Sequence, residues 1–431
     1  MRELLLTATV AVLCLGAIFS PRIGVFSYIW FSLMRPDILS YAAGKPFSLV
    51  LGIAALIGCI RVLPDLARLV RTPITSGLLL LMIPVGLSAL NAVNPSLTTY
   101  PLKEYGTIIL MALLIPVVVR SLPDLKWLLL VMAASIGLIG LKYAVSGFLA
   151  GGLRFNYGPG GLMSDNNTMA TGLAMGMSLC WYFSRIFYSR LIKAVGLILM
   201  VGSLSTIIMT HSRGGALAAT AVLLLISLRS KRRSLTIAVL ALLTFPSVWL
   251  VRGTYFDRLA TLEDVQSETS AQSRIILARA ALHMWQDYPA LGVGFGSSNE
   301  QAILANYLQP GEESWAGTVV HNTYLQMLVD SGSFAFVIYV ALLFGSIGYL
   351  SVSARRMKRT HPGLELYPWS IQTGLVAFAL GTLSLSQIRF DFFYMLLTTA
   401  SAWYLIESSL PENALEQVVE RPDQTAIDLA S

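Results

Sequence analysis

Three short segments of this 431-residue chain hold the residues best suited to chemistry: Thr210-His211-Ser212-Arg213-Gly214-Gly215, Gln272-Ser273-Arg274-Ile275-Ile276 and Val320-His321-Asn322-Thr323-Tyr324. In the first, two glycines let the backbone turn tightly and approach a ligand. Arg213 stands at the boundary of an apolar run. It is either an arginine whose head reaches back to water or an anion site. A guanidinium binds phosphate oxygens as a planar fork and never loses its proton. Ser212, Gly214 and Gly215 would support such a site.

Arg274 opens a helix in a polar stretch. A cation in a first turn opposes the helix dipole, so it calls for an anionic partner, unless it is a solvated surface residue. Arg279, on the same helix, is expected to face solvent. His321 sits at an apolar boundary beside Asn322 and Tyr324. It is either structural or a proton acceptor for a hydroxyl nucleophile, since imidazole titrates near neutral pH. Ser164-Asp165-Asn166-Asn167 precedes an apolar run. Asp165 and Asn166 fit helix capping first and a supporting site role second. Arg154 could add to a positive patch, and Arg389 is expected to pair with Asp391. Gly292-Val293-Gly294-Phe295-Gly296 lacks the strand-turn-helix context of a dinucleotide fingerprint and reads as a flexible turn.

These residues are spaced by apolar runs near 4–19, 23–34, 47–60, 74–90, 105–119, 127–143, 168–184, 194–210, 214–228, 235–251, 322–350, 368–387 and 392–407. The composition is 55% hydrophobic and 12% charged, about half the charge of a soluble domain. A bilayer-spanning helix needs about 20 apolar residues, and an open chain in lipid must be helical to satisfy its own backbone. The fold class is therefore all-α, a polytopic membrane bundle of 12 or 13 spans. The first two runs, joined by Pro21-Arg22, form a hairpin or one broken element. The first is read as a retained anchor rather than a cleaved leader.

The net charge of +7 does not point to nucleic acid, because the basic residues cluster in short loops between runs. Those clusters are Arg61, Arg68 and Arg71; Arg120 and Lys126; Arg185, Arg190 and Lys193; Arg229, Lys231, Arg232 and Arg233; and Arg355, Arg356, Lys358 and Arg359. Positive loops stay in the cytoplasm, which puts Arg213, Arg274 and His321 on the opposite face. The chain divides into an N-terminal membrane region (1–150), core membrane helices with the Ser-Arg-Gly-Gly turn (151–251), an outward loop (252–320), C-terminal membrane helices (321–408) and a cytoplasmic tail (409–431) expected to be disordered. In the outward loop, a helix is expected over Ala271 to Asp287 with Ser270 as its cap. Its apolar positions are Ile275, Leu277, Ala278, Ala281, Leu282 and Trp285. A second short helix is expected around Asn299 to Tyr307, and both would lie on the membrane surface. Cys14, Cys59 and Cys180 have no metal or obvious disulfide spacing. The outward carboxylates form no metal-ligand pattern, so no metal and no cofactor are expected.

Taken in order, the Ser-Arg-Gly-Gly turn, Gln272-Ser273-Arg274, Tyr288-Pro289-Ala290-Leu291-Gly292-Val293-Gly294 and His321-Asn322-Thr323-Tyr324-Leu325 resemble the O-antigen ligase and polymerase superfamily over about 150 to 350. Phe31-Ser32-Leu33-Met34-Arg35-Pro36 and Lys45-Pro46-Phe47 resemble the O-glycosylation ligases of exosortase-type systems. One departure is Ile275, Ile276 and Leu277 where an aromatic residue often follows the helix-start arginine. The resemblance implies a metal-independent glycosyltransferase of the membrane C type in the bacterial inner membrane. Its donor would be a glycan on undecaprenyl diphosphate, presented on the periplasmic face, and its acceptor a hydroxyl of lipid A core or protein. It also implies that Arg213 and Arg274 hold the diphosphate and that His321 is the general base or orients the acceptor hydroxyl. The alternatives are a polymerase of the same superfamily and, in another class, a membrane transporter. A transporter would need ionisable groups deep in its spans, internal repeats or broken helices near the midplane.

Overall fold

The computed structural model describes residues 1–411 except 41–43, 153–154, 162, 188, 231–232, 235–236, 239–240, 243–244 and 246–265, and for 266–271 the backbone only. The chain is an all-α polytopic membrane protein. Its principal helices are α1 (Arg2–Phe19), α2 (Pro21–Met34), α3 (Pro36–Leu39), α4 (Phe47–Cys59), α5 (Pro73–Leu90), α6 (Pro95–Val118), α7 (Leu122–Leu149), α8 (Asn166–Ile186), α9 (Arg190–Thr210), α10 (Arg213–Arg229), α11 (Gln266–Asp287), α12 (Gln301–Leu304), α13 (Thr323–Thr360), α14 (Leu366–Gly381) and α15 (Asp391–Glu407). A departure from pure helix is a short antiparallel hairpin, β1 (Tyr157–Gly160) with β2 (Met163–Asp165), between α7 and α8. The apolar run at 235–251 falls largely outside the described residues.

Among the described residues, seven helices are long and apolar enough to cross a membrane. The other expected spans are helical too, but α2, α10, α14 and α15 are shorter, and α8 is long enough without being apolar enough. The reason for α8 is where it sits. Every residue from Thr168 to Ser184 is buried, so α8 faces protein on all sides and can carry polar groups that lipid would reject. The first two runs form a hairpin: Ser20 is extended between α1 and α2, and Gly24 lets α2 approach Ala17 and Ala55.

α13 is two helices end to end. At Gly332 the backbone leaves helical geometry, with φ +76° and ψ −178°. The Gly292–Gly296 segment fills the break. Val293 N–H donates to the Val329 carbonyl at 2.9 Å and Gly294 N–H to that of Asp330 at 3.2 Å. Ser298 N–H donates to the buried Asp330 carboxylate at 3.0 Å. A Cβ on Gly292 would lie 2.3 Å from the Val329 carbonyl. The turn expected to be flexible is instead a buried clamp, and its glycines are needed for close approach.

α11 begins at Gln266, before the expected Ala271, and the residues just ahead of it lie outside the described set. It buries Ser273, Ile276, Leu277, Ala280, Ala281 and Met284, while Ile275 and Leu282 are exposed. The buried stripe is thus rotated from the expected one. That rotation brings Arg279 down to pair with Glu312 rather than facing solvent. α11 rests on α13 through a 2.9 Å bond from Trp285 Nε1 to Ser333 Oγ. The second short helix is present as α12 and a 3-10 turn, Ala305–Tyr307. Arg389 does not pair with Asp391. It pairs with Glu104, and Asp391 accepts from Ser32.

Candidate functional site

α8, α10 and α13 begin at one end of the bundle, here the head end, and each begins with a side-chain cap. Asp165 Oδ1 accepts from Asn167 and Thr168 N–H at 2.9 and 3.1 Å. Ser212 Oγ accepts from Gly215 N–H at 3.1 Å. Asn322 Oδ1 accepts from Tyr324 and Leu325 N–H at 2.9 and 3.0 Å. Cross-links hold the three starts together. Asn166 Nδ2 donates to the Thr210 carbonyl at 3.0 Å, tying α8 to the end of α9. Gly214 lies against the segment after α14, where a Cβ would come 2.2 Å from Ser384 Oγ. Gly215 lies against Ala170 of α8, with 2.3 Å to its Cβ. Asn322 Nδ2 donates to Leu383 at 3.1 Å, and Thr323 Oγ1 donates to Leu385 at 2.6 Å. Gln387 closes the ring: its N–H donates to Thr323 Oγ1 at 2.9 Å and its Nε2 to Thr168 Oγ1 at 3.0 Å.

Around this ring stand the ionisable groups. His321 is half-buried and left-handed, with φ +56°. His211 across the ring is left-handed too, with φ +55°. Such geometry costs a non-glycine residue about 1–3 kcal/mol and is found where surrounding structure enforces it. The His321 imidazole is held below its usual pKa by burial and by the positive charge of Arg274, against an upward pull from Asp165. That ordering puts Arg274 and Asp165 both within electrostatic reach of His321. Arg274 and Arg213 are exposed. Among the described residues neither forms a hydrogen bond or ion pair. Arg213 is the first residue of α10, so it leaves the same ring one helix away.

The expected residues therefore divide. Arg274, His321 and Asp165 come together, and Arg213 comes to the same layer. Ser212, Gly214, Gly215, Asn166 and Asn322 build the ring rather than project from it. Tyr324 points away and donates to the Ala379 carbonyl at 2.8 Å. Arg154 lies outside the described residues. Sequence reading missed Thr168 and Gln387, polar residues at the ends of apolar runs, where a polar group has water available and draws no notice.

The arrangement suits an anion. Helix starts carry partial positive charge, which side-chain caps reduce but do not remove. Three of them are linked here through residues 383–387, beside two arginines that form no hydrogen bond or ion pair among the described residues. Among the described residues no three His, Cys, Asp or Glu side chains gather as a metal site would need.

Residues 195–340 match the family described as O-antigen ligase. This stretch, a minority of the chain, is similar to an O-antigen ligase domain. This domain runs from α9 into α13 and contains Arg213, Arg274 and His321. Residues 1–180 match a family of unknown function (DUF5935), and the O-antigen ligase domain therefore takes Asp165, Asn166 and Thr168 of its ring from outside itself. Among curated proteins, none matches the chain. The domain supports a membrane enzyme of glycan transfer or polymerisation, working with a lipid-linked donor and an acceptor.

Proposed function

We propose that the chain is a glycosyltransferase that moves a glycan from undecaprenyl diphosphate to a hydroxyl of lipid A core or protein, without a metal, on the periplasmic face of the inner membrane. The observation that carries this reading is His321, its pKa lowered by burial and by Arg274 and pulled up by Asp165, in a ring of helix starts that also carries Arg213. His321 takes the proton of the acceptor hydroxyl as its oxygen attacks the anomeric carbon. The bond from that carbon to the diphosphate oxygen breaks, and the diphosphate leaves with the electron pair. Negative charge grows on the leaving oxygens, where Arg213, Arg274 and the helix starts stabilise it more in the transition state than in the ground state. The face is inferred from the basic clusters, which gather at the end opposite the ring.

The test is His321→Ala in a strain lacking the chromosomal copy. The variant should insert and express normally, and transferred glycan should fall by about 10²–10⁴, the range for loss of a general base. Donor should accumulate. Wild-type glycan transfer by His321→Ala at normal expression would overturn the assignment. A ladder of growing lipid-linked chains made by the wild type, in place of a single transfer, would assign the chain to polymerisation.

A further inference from the structure

Backbone geometry singles out one more residue. Among the described residues three non-glycine residues are left-handed: His211, His321 and Arg35, the last with φ +50°. The first two belong to the ring. Arg35 lies far away in sequence, between α2 and α3, yet it comes to the same end of the bundle. Its guanidinium forks onto Asp37, Nε to Oδ1 at 3.1 Å and Nη2 to Oδ2 at 2.9 Å. The Asp37 side chain is 7% exposed and that of Arg35 30% exposed. The remaining nitrogen, Nη1, has no hydrogen-bond partner among the described residues. It lies against the turn of the β1–β2 hairpin, 2.1 Å from where a Cβ on Gly161 would be. Gly161 is itself left-handed, and its carbonyl accepts from Ser164 N–H at 3.2 Å. The hairpin then runs to Asp165, beside His321. Four residues of strand span at most about 13 Å. Arg35 also acts electrostatically on Asp391, which is held by Ser32.

We propose that Arg35 is a third cation of the substrate site, supplied by the N-terminal region, and that its Nη1 edge binds an oxyanion, carboxylate or phosphate, on the substrate beyond the diphosphate. This rests on the glycan-transfer reading above. A guanidinium has five N–H donors, and a carboxylate fork takes two. Asp37 fixes the plane and leaves one edge directed at the hairpin. The pairing orients Arg35 without using it up, as a recognition arginine requires. The oxyanion could sit on the transferred glycan or on the acceptor.

The experiment uses the full chain in nanodiscs, with lipid-linked donor extracted from cells lacking the protein and an acceptor fraction from the same cells. Arg35→Gln alone would strand buried Asp37, so it is paired with the double variant R35Q/D37N, which removes both charges together and leaves no buried carboxylate without a partner. The double variant should melt with the wild type and still show at least a tenfold higher KM, with kcat within threefold. A rise in KM for donor places the oxyanion on the glycan, and a rise in KM for the acceptor fraction places it there; either supports the proposal. Binding of plain undecaprenyl diphosphate should be unchanged, whereas Arg213→Gln should weaken it. Wild-type KM for both substrates in R35Q/D37N would overturn the proposal and make Arg35 a partner of Asp37 only. Weakened undecaprenyl diphosphate binding would equally overturn it, by moving Arg35 into the diphosphate site. Failure of the wild type to transfer any glycan would instead sink the functional reading.

Discussion

Helix α10 begins with one arginine and ends with another, and the two are used in opposite ways. Arg229, at the end, is saturated. Its Nη1 donates to Tyr182 Oη at 3.0 Å and Thr373 Oγ1 at 2.7 Å, its Nη2 reaches Gln372, and its plane lies over the Trp369 ring. It stitches α8, α10 and α14 together. It also lies at a helix C-terminus, where a cation is favoured. Arg213, at the start, has no bond among the described residues and opposes the dipole. The same contrast holds for the two ends of the bundle. At the basic end Arg22 pairs with Asp124, Arg120 with Asp65 and Arg356 with Glu407. At the head end Arg279 pairs with Glu312 and Arg389 with Glu104, but Arg213 and Arg274 form no ion pair among the described residues. A structural arginine has its donors filled by the protein, whereas one meant for a ligand is held in place with its donors empty.

The sharpest way to break this contrast is to exchange stability for function across α10. Arg213→Gln and Arg274→Gln should each lower glycan transfer by about 10²–10³, the cost of removing one donor to a developing oxyanion. Neither should lower the thermal midpoint of the purified protein. Arg229→Gln should do the reverse. It leaves Tyr182 and Thr373 without their donor and should cost about 1–3 kcal/mol of stability, while transfer per folded molecule stays within a fewfold of wild type. If Arg213→Gln melts early and transfers normally, the two ends do not differ in kind.

A smaller effect tests whether the head-end charges act on His321. Burial and Arg274 both hold the imidazole below its usual pKa, and Asp165 pulls it up. The base works when neutral, so transfer should fall as pH drops through that depressed value and be flat above it. Removing Arg274 should move this acid limb to higher pH in the residual activity of Arg274→Gln. Removing the carboxylate in Asp165→Asn should move it to lower pH. An acid limb that stays fixed in both variants would mean that the titrating group is not His321. Shifts of opposite sign, read from kcat against pH, would tie all three residues to one site.

Much of this site was legible in the sequence because its parts sit at element boundaries. Arg213, Arg274 and His321 each mark a change from apolar to polar residues, and capping residues such as Ser212 and Asn322 announce helix starts. What could not be read was rotation and distance. The buried stripe of α11 was misjudged because Ile276 and Met284, not Ile275 and Leu282, face the bundle, a choice made by tertiary packing rather than periodicity. The breadth of α8 burial was hidden for a related reason: a helix surrounded by protein has no lipid-facing stripe to betray it. Arg35 comes to the ring only through the hairpin that leads to Asp165, and no local pattern encodes a contact between residues more than a hundred positions apart.

The least disruptive test concerns Asn322, which joins the structural and chemical roles. Its Oδ1 caps α13 and its Nδ2 ties that cap to Leu383. Asn322→Ala loses both and should cost about 1 kcal/mol, as N-cap removal does. His321 precedes the cap in a left-handed conformation that the cap helps enforce, so transfer should fall severalfold through kcat. Asn322→Asp separates the roles. An aspartate caps as well as asparagine, so α13 keeps its start, while the bond to Leu383 is replaced by a carboxylate oxygen facing a carbonyl and the thermal midpoint should fall no further than in Asn322→Ala. It also places a negative charge next to His321, which should raise the imidazole pKa and move the acid limb of transfer to higher pH. A folded Asn322→Asp protein with an unmoved acid limb would show that the head end does not hold His321 in an electrostatically coupled site. The contrast between the two ends of α10 would then reduce to one of exposure.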